Sequence, residues 1–151
     1  MGRAYSAGGR VTAGVNKSAI QVNNPATTRA RIFEIIIGCQ ATPAAQAALW
    51  LAARATSGVG SAVTPIYNDT PEASLAALCS AIQNQTTEPT YTSGIDNSIW
   101  AMPLNQQATF NWKANQGREL VTLAGATQTI TLYINSSTGT AVHQAMAYFE
   151  E

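Results

Sequence analysis

A chain of 151 residues is long enough to bury a hydrophobic core in one domain, and a hydrophobic content of 46% excludes wholesale disorder. Only 11% of the residues are charged, against about 25% in average proteins, and the formal net charge is zero. A surface so poor in charge is weakly protected against association, which favours a subunit of an assembly over a monomeric enzyme. The neutral charge also argues against nucleic acid as a partner.

The first 27 residues are predicted to form an extended N-terminal arm that contains one short strand. Residues 1–14 are rich in Gly, Ala and Ser, a composition typical of a mobile segment. Residues 18–22 suit a short strand, and the turn at 23–25 follows it. Five basic residues precede the first acid of the chain, and they are the candidate contacts with an acidic surface of a partner protein or a neighbouring subunit: Arg3, Arg10, Lys17, Arg29 and Arg31. The simpler alternative is a solvated basic arm without a specific partner. The acidic end of the chain, Glu150 and Glu151, offers a matching surface on another copy.

Residues 28–40 predict a central strand that is buried on both faces. The run from Ile32 to Ile37 is filled by isoleucine and phenylalanine, with Glu34 as its one acid. It is too short to span a bilayer, so no membrane contact is expected. For Glu34, an ion pair with Arg29, Arg31 or Arg118 is a better prediction than a role as a catalytic acid.

Residues 43–55 are compatible with either a helix or a strand. The Thr42-Pro43 start and the alanines favour a helix, whereas Leu49, Trp50 and Leu51 fit a buried strand. The segment 56–65 has the composition of a loop, and its Gly-Val-Gly lacks the context of a phosphate-binding motif.

One short helix is predicted over about residues 71–83. Thr70, Pro71 and Glu72 form a good helix start, with a cap, a proline at the first position and an acid in the first turn. Apolar residues then follow at helical spacing: Leu75, Leu78, Cys79 and Ile82.

From residue 98 onward the chain predicts short strands separated by turns. Strands are expected at 98–102, 108–112, 118–123, 128–135 and 141–149, with a hairpin loop at 135–139. This pattern predicts a mainly β protein, in which residues 28–151 form a single antiparallel β domain, a sandwich or a barrel.

Candidates for chemistry are few. His143 is the only histidine, and a hydrolase triad with Ser98 or Ser136 lacks the context of a nucleophile elbow. Cys39 and Cys79 allow one disulfide or none, and free buried thiols are the default expectation. With one histidine and two separated cysteines, no zinc site and no cofactor are predicted. Six aromatic residues suit either a sugar-binding platform or, more simply, core and subunit contacts: Trp50, Trp100, Trp112, Tyr67, Tyr91 and Tyr133.

The order of these elements resembles that of small phage head proteins that decorate or cement the capsid and are built on a jelly-roll sandwich. The resemblance covers most of the chain after residue 27. It lies in five segments: Ile-Phe-Glu at 32–34, Thr-Ser-Gly-Val-Gly-Ser-Ala-Val-Thr-Pro at 56–65, Asn-Gln-Thr-Thr at 84–87, Phe-Asn-Trp at 110–112 and Tyr-Phe-Glu-Glu at 148–151.

The resemblance implies a homotrimer that binds the major capsid protein on the outer surface of the virion, after synthesis in the host cytoplasm, without turnover. It also implies a strand rather than a helix before the segment at 56–65. Two other functions fit the same fold: a jelly-roll adhesin that binds carbohydrate, and a tail or connector component of the virion. A hydrolase that uses His143 is a further alternative.

Overall fold

Strands make up most of the computed structural model, which describes residues 2–12, 14, 16–25, 27–40, 47–68, 76–90, 98–123, 129–136 and 141–151. No residue in these ranges is helical. The twelve strands of the described chain are β1 Ala4–Thr12, β2 Lys17–Asn23, β3 Arg31–Gln40, β4 Ala47–Ala55, β5 Val59–Val63, β6 Ile66–Tyr67, β7 Ser80–Thr87, β8 Trp100–Asn105, β9 Phe110–Lys113, β10 Leu120–Val121, β11 Thr129–Ser136 and β12 Val142–Glu150.

The strands form two antiparallel sheets that pack as a sandwich. Sheet A has the order β10–β3–β12–β1–β6, and β9 also pairs with β3; sheet B has the order β5–β7–β2–β11–β4–β8. Most connections cross from one sheet to the other, so each sheet combines strands that are distant in the sequence. The prediction of a mainly β sandwich is confirmed.

The strand β3 is buried on one face rather than on both. Ile32, Ile35 and Ile37 are at most 2% exposed, whereas Phe33 and Ile36 are half-buried. The spacing from Ile32 to Ile35 is three because the register with β12 shifts at this point and leaves Phe33 as an extra residue. The bulge therefore turns both isoleucines toward the core.

The N-terminal segment is a strand of sheet A and not an arm. The strand β1 lies between β12 and β6, and Tyr5 and Ala7 are 0% and 3% exposed. A Cβ atom at Gly9 would collide with the carbonyl oxygen of Ala19 in β2, so glycine is what allows the two sheets to approach here. The second part of the predicted segment, the short strand at 18–22, is confirmed as β2.

Three other local predictions need correction. Residues 71–75 of the predicted helix lie outside the described residues, residues 76–79 are not helical, and the strand β7 begins at Ser80. The helical spacing of the apolar residues did not decide the structure here, because β7 pairs with β2 on one side and with β5 on the other. The predicted loop at 56–65 contains β5. The strand predicted at 98–102 is β8, and it continues through Pro103 because a proline is tolerated in an edge strand.

The segment 43–55, which the sequence left as either a helix or a strand, is a strand where the structure describes it. Residues 43–46 lie outside the described residues, and β4 occupies the rest. It pairs with β11 and β8, and Trp50 points into the core between the sheets. The strand alternative, which the resemblance implied, is the one observed.

The middle of the outer face of sheet B, on β2, β4 and β11, is buried. Leu51, Ala53 and Tyr133 form a second apolar cluster there, each at most 2% exposed. Beside it the amide of Gln21, 0% exposed, donates to the hydroxyls of Thr129 and Thr131 at 2.6 and 3.0 Å. Sheet A is thus the sheet whose outer face is open.

Among the described residues, no helix has the length and apolarity needed to cross a membrane.

Candidate functional site

The outer face of sheet A is an open surface built mainly by β1, β3 and β12. Alternation along β12 sends His143, Ala145, Ala147 and Phe149 inward, so Met146 and Tyr148 point outward. The register places Met146 opposite Ile36 of β3 and Gly8 of β1, and it places Tyr148 opposite Glu34.

The centre of this surface is apolar. Phe33, Ile36, Met146 and Tyr148 are all half-buried, and the rings of Phe33 and Tyr148 lie 6.5 Å apart. We call these four residues the sheet A patch. A hollow of about 170 Å³ adjoins it, lined by Ile36, Gly38, Thr109, Gln144 and Met146. The patch can take apolar side chains of another protein over a shallow, largely preformed surface.

Glu34 lies at the margin of the patch and forms a structural ion pair. Its carboxylate lies 3.5 Å from the Lys113 Nζ atom and accepts a hydrogen bond of 2.8 Å from Asn111. Both partners come from β9, so the prediction of an arginine partner is wrong because β9 rather than an arginine-bearing segment pairs with β3 here. The side chain of Glu34 is 18% exposed, and the pair neutralises this margin of the patch.

The five predicted basic residues do not form one surface. Arg29 and Arg31 line a hollow of about 160 Å³ together with Gly2, Glu150 and Glu151. The backbone of Arg3 exchanges hydrogen bonds of 3.2 and 3.1 Å with Glu151. The acidic end of the chain therefore meets the basic N-terminal segment within one molecule, which offsets the charges that the sequence separates.

Arg10 and Lys17 lie at the opposite end of β1 from Arg3. Arg10 lines two adjoining polar clefts of about 380 and 300 Å³ with Asn84, and Lys17 lines the second cleft. The Nζ atom of Lys17 lies 3.6 Å from the carboxylate of Glu88. Of the five candidates, Arg10 is the one that borders both these clefts and the outer face of sheet A, where it pairs with Gln144.

Glu151 also holds the loop before β7. Its carboxylate accepts backbone hydrogen bonds from Leu78, at 2.9 and 3.0 Å, and from Cys79, at 2.8 Å. Burial, together with the hydrogen bond and the charge of Glu151, raises the pKa of the Cys79 thiol to about 12. Cys79 is thus a buried structural thiol, as predicted, whereas Cys39, which is also outside any disulfide, is half-buried.

His143 lies in the core rather than in a cleft. It is 1% exposed, and its ring stands edge-on to Trp50 with centroids 6.0 Å apart. Burial lowers the pKa of His143 and favours the neutral imidazole. Cys39 is directly opposite on β3, but burial raises the pKa of its thiol, so neither group is shifted toward the thiolate–imidazolium form of a nucleophilic pair.

The aromatic residues are spread over several surfaces. Trp50 and Tyr133 are buried on opposite faces of sheet B, which agrees with the core alternative. Trp100 packs on Phe110 at 5.7 Å, and Tyr67 packs on Tyr5 at 5.2 Å. Trp112 is half-buried against the core, and Tyr91 lies outside the described residues. The described members of the set do not share one platform.

The exposed edge strands differ in how well they are protected. In sheet B the edge strand β8 contains Pro103, and in sheet A the edges are the two-residue strands β6 and β10 and the strand β9, which ends in Lys113. The other edge of sheet B is β5, with four of its five residues exposed and with neither a charge nor a proline. We call Val59–Val63 the β5 edge.

Large apolar side chains are exposed beside this edge. Val59, Ile66 and Leu78 are 61%, 70% and 64% exposed. No charged residue occurs between Arg54 and Asp69 in the sequence, so the chain around the edge is uncharged as well. Such an edge offers backbone hydrogen-bonding groups and apolar contacts to a protein partner.

Within the part of the chain that the structure describes, no three His, Cys, Asp or Glu side chains are grouped as a metal site would require. Comparison of the chain with models of protein families, with curated proteins and with solved structures finds no match.

Proposed function

We propose that this chain is a non-enzymatic structural protein of a virion, which binds the outer surface of a phage capsid and stabilises the junctions between major capsid subunits. The observation that carries the proposal is the open outer face of sheet A, with its apolar patch and neutralised margin. The segments that resemble phage head proteins support the same function, and two of them, at 32–34 and 148–151, contribute Phe33 and Tyr148 to the patch.

The size of the molecule fits a contact of this kind. Its accessible surface is 7794 Å², so a standard contact of roughly 800 Å² per partner would cover about a tenth of it. The patch residues are already half-buried on a sheet, so binding would order few side chains. A protein that binds only the assembled shell stabilises that shell by mass action and needs no catalytic group.

The positions of the five basic residues leave one of them, Arg10, as the proposed contact with the capsid. Arg3, Arg29 and Arg31 lie by the chain's own acidic end, and Lys17 lies by Glu88. Arg10 is exposed on the outer face of sheet A opposite Gln144, and we propose that it meets an acidic group on the capsid. A tail or connector component would use the same face, and the binding experiment below separates it from a capsid protein.

The experiment uses cosedimentation with heads assembled from the major capsid protein encoded with this chain. Met146→Glu places a charge in the centre of the patch, whereas Ala101→Glu places the same charge on exposed β8 as a matched control. Wild type and the Ala101 variant are expected to sediment with the heads, and the Met146 variant to bind at least about tenfold more weakly, because an unpaired charge is buried on binding. Failure of the wild type to bind heads, or binding to tails only, would refute the capsid function.

A further inference from the structure

We infer that the β5 edge pairs with the β5 edge of a second copy of this chain across a two-fold axis, joining two copies of sheet B into one continuous antiparallel sheet. The inference deepens the proposed function, since it rests on that function's premise that the surface exists to be covered by protein. It assigns the partner of one edge and makes the elementary assembly unit a dimer, in place of the trimer that the resemblance implies.

The first argument is the exposure of this strand. The strand β5 pairs with β7 on one side, as in Ser61 opposite Gln83 and Val63 opposite Ala81, and among the described strands none pairs with its other side. Its free backbone N–H and C=O groups can be matched by another strand. The other described edges are short, end in lysine or contain proline, which leaves the β5 edge as the least protected one.

The second argument is the sequence of the strand, which is nearly a palindrome. Val59-Gly60-Ser61-Ala62-Val63 reads as apolar, small, polar, small, apolar in both directions. In an antiparallel pair centred on Ser61, Val59 faces Val63 of the second copy, Gly60 faces Ala62, and the two Ser61 residues face each other. A two-fold contact requires such a self-complementary surface, and like charges, which would oppose it, are missing from the strand's sequence.

The third argument is the fixed position of the strand. A Cβ atom at Gly60 would lie 2.5 Å from the carbonyl oxygen of Gln83, and one at Gly58 would lie 2.8 Å from that of Thr87. The two glycines therefore let β5 lie close against β7. The register shift lies between Val59 and Ser61, so the residues from Ser61 to Val63 stay in regular pairing with β7. Docking on this edge then needs little ordering of the backbone.

The test is sedimentation equilibrium on wild type and on two variants. Ser61→Lys puts two ammonium groups opposite each other on the axis, and Ala101→Lys puts the same charge on the far edge of sheet B. We expect a wild-type dimer, an unchanged dimer for the Ala101 variant, and a dissociation constant at least about tenfold higher for the Ser61 variant. A monomeric or trimeric wild type, or a dimer that the Ser61 variant leaves intact, would overturn the inference.

A cross-linking experiment keeps the test valid if the lysine variant does not fold. In a two-fold pair the Cβ atoms of residue 61 lie about 4.5–5.5 Å apart, so Ser61→Cys is expected to form a covalent dimer with a short bis-maleimide. Ala101→Cys and the wild type, which retains Cys39 and Cys79, serve as controls and are expected to stay uncross-linked. Equal cross-linking of all three proteins would count against the pairing.

The experiments can refute capsid binding and pairing through the β5 edge independently of each other. A dimer that does not bind heads would leave the β5 pairing in place and remove the capsid function. Head binding by a monomeric protein, unchanged by Ser61→Lys, would support the capsid function and remove the β5 pairing.

Discussion

Replacing Gly9 with alanine tests whether the N-terminal segment is the sheet strand described above. The added methyl group would collide with the backbone carbonyl oxygen of Ala19 and lie 3.0 Å from the Cβ atom of Ile20. Ala19 lies at the register shift between β2 and β11, so either its backbone must move or the two sheets must separate locally. Overpacking of this kind costs about 1–3 kcal/mol, and a backbone obstacle places Gly9→Ala at the upper end, about 2–3 kcal/mol.

The adjacent residue provides the control. A Cβ atom at Gly8 would lie 3.4 Å from the Cγ atom of Met146 and 3.8 Å from the carbonyl oxygen of Ala145, which are tolerable contacts on the open face of sheet A. Neither glycine has a positive φ, so alanine fits both backbones. Gly8→Ala is expected to change the free energy of unfolding by less than about 0.5 kcal/mol, or to raise it slightly, because alanine loses less backbone entropy on folding.

Thermal and urea unfolding followed by circular dichroism would measure both variants. For a domain of this size, a loss of 2–3 kcal/mol lowers the melting temperature by about 4–12 °C. If the N-terminal segment were a mobile arm, neither substitution would change the melting temperature. A Gly9 variant that melts within about 1 °C of the wild type, or a Gly8 variant that is equally damaged, would refute the close packing of β1 on β2.

Two titratable core groups give further predictions. In a Cys39→Ser variant, the Cys79 thiol, with its pKa raised to about 12, is expected to resist Ellman's reagent at pH 8 in the native protein and to react at once in denaturant; rapid native labelling of this variant would contradict the burial of Cys79. Because burial lowers the pKa of His143, the unfolded chain takes up its proton first as the pH falls below about 6.5, so the free energy of unfolding is expected to fall from pH 7 to pH 5. His143→Phe keeps a ring against Trp50 and is expected to lessen this fall, measured by urea unfolding at both pH values; equal falls would contradict the assignment.

Strand alternation was the most informative signal in the sequence. It predicted residues 128–135 and 141–149 as strands, and the structure has β11 and β12 there within one residue at each end. In β12 the alternation reflects one buried and one open face. In β11 it does not, because Thr131 and Tyr133 on the second face are also buried. The hydroxyl of Thr131 is satisfied there by Gln21 of β2, a partner that local sequence cannot identify.

The errors have tertiary causes. The glycines of the N-terminal segment suggested mobility, yet Gly9 is needed for a contact between sheets, and the alternation of Tyr5 and Ala7 was the signal that pointed to a strand. The helical spacing before residue 83 was overridden by pairing on both sides of β7. Each decision depends on segments far away in the chain, which propensity does not include.

The candidate surfaces were less predictable than the fold. Composition indicated a surface suited to association but not where it lies. The sheet A patch combines β3 with β12, and its position became visible only when the register placed Met146 beside Ile36. The β5 edge was predicted as a loop. The five basic residues are close in sequence, but they do not form one surface. The backbone pairing of Arg3 with Glu151 places Arg3 beside the acidic end of the chain, away from Arg10 and Lys17.

The pairing of β1 with β12 has a consequence for biosynthesis. Ala4 pairs with Glu150, so β1 must wait for β12, which is synthesised much later and lies between β1 and β3. Until β12 emerges, sheet A is divided and the core side of Tyr5 has no Phe149 to stack on at 5.9 Å. Such non-local closure makes folding slow, and it leaves nascent chains dependent on protection from aggregation until the nine-residue strand β12 has been synthesised.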